Sequence, residues 1–254
     1  MASEIHSPES NSSTAESLGA MSTQFFAPSE HVPISHGISA RPEVAGPSHL
    51  FRYRVLKRAV DILIVLASAP LLLLLVGLVA ATVRLSSPGP IFFSHRRIRR
   101  HGAFFSMWKF RTMCVNSSEV LESYLSANPG ARAEWRKTHK LKSDPRVNRV
   151  GLFLRRTSLD ELPQLWNVLT GSMSLVGPRP IVAAEVEKYG DHFADYCMVK
   201  PGITGLWQVS GRSALSYAER VQLDHKYAHH WSFFGDLKIL VKTLSSVVNQ
   251  DGAY

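Results

Sequence analysis

The chain has 254 residues, 45% of them hydrophobic and 19% charged, with 29 lysines and arginines against 20 acidic residues, a net charge of +9. That length fits one domain with appendages, and that apolar content excludes a wholly disordered chain. Two cysteines, Cys114 and Cys197, with no Cys-x-x-Cys pair, exclude a disulfide framework or a cysteine-based zinc site.

Residues 1–50 are rich in Ser, Pro, Glu and Gly and hold five glutamates against one arginine, Arg41, a net −4. They read as a disordered tail, with Phe25-Phe26 as their one apolar spot. No basic segment followed by an apolar one suggests a secretory leader there. The rest of the chain carries +13, a balance that expects a phosphate-rich partner: nucleic acid, anionic lipid or a nucleotide.

A basic collar, Arg52, Arg54, Lys57 and Arg58, precedes the run Ile62–Val83, 22 residues without a charge. As one helix it would measure ~33 Å, enough to cross a bilayer. Pro70 sits mid-run, where a kink or break is expected. Both flanks are basic, with Arg84, Arg96, Arg97, Arg99 and Arg100 following, and the positive-inside rule places each flank in the cytoplasm. A re-entrant hairpin broken at Pro70 satisfies both features, and a kinked spanning helix is the alternative. Asp61, at the mouth of the run, is expected to pair with Lys57 or Arg58.

Residues 51–84 are thus read as collar and membrane hairpin, and 85–254 as a mixed, soluble-looking domain. Ser87–Pro90 is a turn, Ile91–Phe93 is read as a short strand, and Phe104–Arg111, which alternates poorly, as a second strand or a surface-facing segment. Helices are expected over Ser118–Ala127, capped by Asn116 or Ser117, and over Ala131–Leu141. An interfacial helix is expected at Val150–Leu154, with further helices over Glu161–Leu169, Ile181–Tyr189, Ala214–His229 and Asp236–Val248.

The densest chemical cluster is Arg155-Arg156-Thr157-Ser158-Leu159-Asp160-Glu161-Leu162-Pro163. Its structural reading is a helix start, with Ser158 and Glu161 as a capping box. Its chemical reading uses the same helix end and Arg155 to keep Asp160 ionised, as a nucleophile toward phosphorus or, with Glu161, as a ligand for Mg²⁺. Arg179, between Pro178 and Pro180, is a pre-placed guanidinium for phosphate, or the segment is a helix stop. Lys200–Arg212, with three glycines, Trp207 and Arg212, fits a loop that stacks a base and holds a diphosphate. Lys109 and Arg111 add a basic patch. His229-His230 reads as a solvated face, without partners at metal spacing. No Walker, G-x-G-x-x-G, H-E-x-x-H or G-x-S-x-G motif occurs.

Lys57-Arg58 with Asp61, Lys109–Met113, Ser158–Leu165, Ser174–Pro180, Pro201–Arg212 and Trp231–Phe234 with Asp236–Lys238, in that order, resemble the bacterial sugar transferases, the polyprenyl-phosphate hexose-1-phosphate transferases. Within that family the likeness is strongest to the rhizobial exopolysaccharide branch. The resemblance implies a mainly α monotopic membrane protein with a small β element: a re-entrant helix hairpin and a compact cytosolic α/β domain at the inner leaflet of the bacterial inner membrane. It implies transfer of a hexose 1-phosphate, galactose first and glucose second, from a UDP-sugar to undecaprenyl phosphate, with release of UMP. Asp160 becomes the nucleophile and Glu161 its partner near Mg²⁺. Arg155 becomes a phosphate binder, and Lys109, Arg111, Arg179 and Arg212 flank the substrate. Anionic membrane lipid is an implied partner, nucleic acid is not, and the oligomeric state stays open, a homodimer included. Members of the family with Ser-Pro at the hairpin break differ from this chain, which has Ala69-Pro70 with Ser68 one place earlier. The rivals are a membrane-anchored phosphate-polymer binder and a non-catalytic scaffold.

Overall fold

The computed structural model describes residues 52–138 and 141–248. The expected tail and Phe25-Phe26 lie outside them. After a wide helical turn at Arg52–Leu56, α1 runs Lys57–Ser86. A hairpin follows, β1 (Phe92–Ile98) and β2 (Phe104–Phe110), antiparallel from Phe92 opposite Phe110 to Ile98 opposite Phe104. His101 and Gly102 turn it in the left-handed region. Then come α2 (Ser117–Ala127), α3 (Pro129–Thr138), α4 (Arg149–Arg156), a 3₁₀ turn at Leu159–Glu161 and α5 (Gln164–Leu169). Strand β3 (Ser174–Val176) pairs in parallel with β4 (Gly202–Thr204). The crossover between them carries α6 (Val186–Tyr189) and α7 (Phe193–Met198), and α8 (Tyr217–His229) and α9 (Phe233–Val248) close the described chain.

The expected pieces Ile62–Ala69 and Leu71–Val83 are one 30-residue helix that includes Pro70. A single proline deprives a long helix of one backbone hydrogen bond, and the turns on either side persist. Ser68 donates its hydroxyl to the carbonyls of Ile64 (2.7 Å) and Val65 (3.2 Å) just before it. Leu63, Leu66, Leu71, Leu73, Leu74 and Leu78 are exposed. Such an outer face makes α1 a candidate membrane anchor by length and composition.

Both ends of α1 pack on the same folded body. At its start, the Lys57 ammonium donates to Asp236 (2.6 Å), Arg58 caps the carbonyls of Val168 and Leu169 at the end of α5, and Asp61 accepts from the Ser174 hydroxyl (2.8 Å) and the Leu175 amide (3.2 Å). The hydrogen-bond partner of Asp61 is therefore β3, not the collar. Lys57 is held instead by Asp236, which also accepts from Tyr227 and Trp231. Near the other end, Val79 and Val83 are buried with Phe110 and Leu154. Between the two anchorages α1 and α5 enclose an apolar cavity of about 420 Å³ lined by Val65, Ala69, Leu72, Leu73 and Val76 on one side and Trp108, Leu162, Leu165 and Trp166 on the other.

Two glycines of the predicted diphosphate loop, Gly202 and Gly205, have a backbone role together with Gly177. A Cβ on Gly177, Gly202 or Gly205 would strike main-chain atoms where the Gly177 segment meets β4 and the residues after it. Trp207 is buried and covered by the Arg220 guanidinium at 4.8 Å from its ring centre, so its ring packs in the body and does not offer a face for a base. Asn116 makes no side-chain cap, and α3 begins at Pro129, where a proline suits a first helical turn.

Candidate active site

Two elements bring the charged groups together. Strand β2 presents Lys109 and continues to Arg111, and the turn after α4 presents Asp160 and Glu161. Asn167, buried in α5, locks the two parts: its carbonyl accepts from the Trp108 amide (3.0 Å) and its amide donates to the Ser106 carbonyl (2.8 Å). The backbone on one side of Lys109 is thereby tied to the helix that follows the carboxylates. Asn167 carried no sequence signal, because an isolated polar residue in a short apolar helix reads as surface.

The expected capping box is not formed. Ser158 sits in the left-handed region (φ 56°) with no side-chain cap, and Asp160 lies in the 3₁₀ turn, before α5 begins at Gln164. The left-handed residue reverses the chain between α4 and the turn, which costs a non-glycine residue about 1 kcal/mol and points Asp160 and Glu161 back at β2.

Lys109 bridges the pair, donating to Glu161 (2.7 Å) and lying 3.4 Å from Asp160. Burial pushes the Asp160 carboxyl above the usual aspartate range. Lys109 pulls it back, the Glu161 charge adds to the rise, and Arg155 opposes it more weakly. The neutralising group is thus chiefly Lys109, not the helix end and Arg155 as the sequence suggested. For Glu161 burial also disfavours the charge, but Lys109, Arg179 and a hydrogen bond from buried Gln164 outweigh it, so its carboxyl lies below the usual range. One carboxylate is firmly ionised and its neighbour is held closer to protonation.

Asp160, Glu161, Lys109, Arg111, Arg155 and Arg179 all line one cavity of about 590 Å³, together with Phe92, Phe93, Thr112 and Ser158. Arg155 is oriented by donating to the Thr112 hydroxyl (2.9 Å). Arg179 is exposed on the cavity wall. Arg111 differs: its guanidinium donates to the carbonyls of Pro88 (2.6 Å) and Ser87 (2.8 Å), so it pins the turn before β1. Arg212 is not brought to this cavity; its Nε donates to the Gln208 carbonyl (3.0 Å).

The carboxylates of Asp160 and Glu161 converge on one point, at present the Lys109 ammonium, and face a cavity with room for phosphates. Two adjacent hard oxygen donors of this kind fit Mg²⁺. Phe92 lines both this cavity and the apolar one against α1, and Leu162-Pro163, directly after Glu161, lines the apolar side. The polar and apolar spaces therefore share a wall at the carboxylates.

The family model of bacterial sugar transferases matches residues 52–250. The chain belongs to the bacterial sugar transferase family. Among curated members, an undecaprenyl-phosphate galactose phosphotransferase of Salmonella typhimurium is 50% identical over 205 residues, which are 79% of this chain and 42% of that protein. The exopolysaccharide production protein ExoY of Rhizobium meliloti is 49% identical over 200 residues, 78% of this chain and 88% of that one. A UDP-glucose:undecaprenyl-phosphate glucose-1-phosphate transferase of Escherichia coli is 41% identical over 213 residues, 79% and 42% respectively. The chain thus spans about two-fifths of the length of several of these sugar transferases and most of the length of the ExoY type. The hits fall on the segment that carries α1, the carboxylate turn and the cavity.

Proposed function

We propose that this protein transfers a hexose 1-phosphate, galactose 1-phosphate first, from a UDP-sugar to undecaprenyl phosphate and releases UMP, as an opening step of exopolysaccharide repeat-unit assembly. The observation that carries the reading is the carboxylate pair at the wall between a cation-lined cavity and an apolar one. A nucleotide sugar needs the first. A lipid phosphate needs both, its headgroup in one and its chain in the other.

In this scheme an ionised Asp160 oxygen attacks the phosphorus bonded to the sugar. The bond from that phosphorus to the bridging oxygen breaks, and the bridging oxygen leaves with UMP. An acyl phosphate of the hexose remains on Asp160. A phosphate oxygen of the lipid then attacks the same phosphorus, the acyl–phosphate bond breaks, and the Asp160 carboxylate is restored. Lys109 keeps Asp160 charged before attack and offsets the phosphate charge during it, and Arg155 and Arg179 orient the diphosphate. Asp160 and Glu161 would hold Mg²⁺, which when bound supplies further neutralisation of phosphate charge.

The membrane arrangement follows from the same features. Both ends of α1 rest on one body, and its outer leucines are exposed, which supports a helix lodged in one leaflet without crossing the bilayer. Exposed Leu85, Leu152 and Phe153, with Arg149 and Arg156 beside them, form a seat for anionic lipid at the cytoplasmic face of the inner membrane.

The test is a single-turnover experiment with UDP-galactose and no lipid acceptor. One equivalent of UMP and a hexose-phosphate mass adduct on Asp160 are expected, both lost in Asp160→Asn. UMP formation only in the presence of undecaprenyl phosphate would refute the covalent scheme. UDP-glucose in the same assay ranks the two hexoses.

A further inference from the structure

Away from the Asp160 cavity, three imidazoles surround one buried carboxylate. On α8, His225 and His229 are four residues apart and therefore on one face. Asp195 lies in the first turn of α7, and His192 three residues before it. His192 Nδ1 is 2.9 Å and His225 Nδ1 2.7 Å from one Asp195 oxygen, and His229 Nε2 is 2.8 Å from the other. Donor atoms of His192, Asp195 and His225 all lie within 4.8 Å of one another. His229 is thus turned inward, whereas the neighbouring His230 is exposed, and the expected solvated histidine face is only half right. The missing metal spacing was the i, i+4 pair with His225.

We propose that His192, Asp195 and His225 form a binding site for a divalent transition ion of the zinc class, which staples α7 to α8, with His229 held beside it on the second Asp195 oxygen. Two imidazole nitrogens and one carboxylate oxygen are three donors suited to Zn²⁺, with the fourth tetrahedral position left for water or His229. Bonds of about 2.0–2.1 Å at tetrahedral angles place neighbouring donors ~3.3 Å apart, so the two carboxylate–imidazole contacts would open by about half an ångström, and the His192 and His225 nitrogens, already within 4.8 Å, would adjust around the ion. An outer partner is in place: the Gln222 amide lies 3.0 Å from His192 Nε2. With Nδ1 on the metal, the Nε2–H would donate to the Gln222 carbonyl after an amide flip. The His192 and His225 side chains are 25% and 33% exposed, which leaves a path from solvent. The metal-free alternative is a hydrogen-bonded clamp in which three neutral imidazoles donate to Asp195.

The test uses the full chain purified without a histidine tag and stripped with a chelator. Zn²⁺ is titrated against a chromophoric competitor, and Co²⁺ is added separately for its visible spectrum. One tight equivalent of Zn²⁺, a rise in Tm on binding, and an intense tetrahedral Co²⁺ spectrum are expected. Because loss of an outer-shell partner alone costs 10–100-fold in affinity, as an order of magnitude, the ligand variants His192→Gln with His225→Gln should lose at least that much and the Tm response. His225→Gln alone, at the more exposed edge, serves if the double variant does not fold. Asp160→Asn with Glu161→Gln should retain the Zn²⁺, which separates this site from the carboxylate pair. No tight equivalent, or the same binding in the histidine variants, would overturn the proposal and leave only the clamp.

Discussion

Replacing Lys109 by methionine keeps the length of the side chain and removes the charge between Asp160 and Glu161. A unit charge 3.4 Å from the Asp160 oxygen is worth about 5 kcal/mol at an effective dielectric of ~20. The Lys109 side chain is 21% exposed, and Arg155 still acts, so water and the remaining cation reduce the net effect to roughly 1.5–3 kcal/mol. That is a rise of about one to two pH units in the titration of Asp160. The sign is fixed by the chemistry. The proposed nucleophile must be ionised, burial already holds its titration above the usual range, and loss of Lys109 raises it further. The acid limb of kcat/KM should therefore move to higher pH, with about 10–100-fold less UMP release below the limb and partial recovery above it. Lys109→Arg, which keeps the charge, should leave the limb near its original place. The assay is UMP release from UDP-galactose and undecaprenyl phosphate in detergent across the pH range. A uniform loss at every pH, with the limb unmoved, would refute the electrostatic role and leave Lys109 as a binding group only.

Asp224 is buried beneath α6, accepts from the Tyr189 hydroxyl (2.8 Å), and has no partner for its second oxygen among the described residues; burial pushes it up to about 7, against that hydrogen bond. Since the unfolded chain deprotonates first, this group should lower stability by roughly 4 kcal/mol as pH rises from about 4 to 7, and Asp224→Asn should flatten that slope in urea unfolding; parallel slopes for the two proteins would contradict it. Asp195 behaves oppositely, its carboxyl held low by the three histidines against the cost of burial. Its contribution is present above the ordinary aspartate range and should disappear on acidification, so Asp195→Asn should cost stability at neutral pH and little in strong acid. Lys57→Met leaves Asp236 buried without its cation and should destabilise by about 3–5 kcal/mol, read as a fall in Tm. Asn167→Ala strands the Trp108 amide and the Ser106 carbonyl, at roughly 1–3 kcal/mol each. It should slow UMP release through displacement of Lys109, and crosslinking of residue 109 to the carboxylate turn should weaken in parallel.

Much of the site was legible because its charges are local in the chain. Asp160-Glu161 and Arg155 stand within seven residues, and Lys109 is flagged by its basic, aromatic surroundings. The helices with apolar faces, such as α8 and α9, were legible for the same reason. What failed to show is what depends on distance. Strands β3 and β4 are three residues each, too short for alternation to register, and they meet across an intervening stretch that holds two helices. Asp61 was assigned to its sequence neighbours, but two β3 donors satisfy its oxygens. The Ser158–Glu161 pattern has the letters of a capping box, yet the left-handed backbone at Ser158 removes the geometry. His192 and Asp195 lie some thirty residues from His225 and His229, and only the packing of α7 on α8 makes them neighbours.

The double anchorage of α1 has a mechanical meaning. A helix gripped by Lys57, Arg58 and Asp61 at one end and by Val79 and Val83 at the other cannot slide or tilt independently of the body beneath it. In the proposed membrane arrangement the carboxylates would therefore sit at a set height relative to the lipid tails, and a lipid acceptor approaching sideways would meet them at the same depth on every turnover.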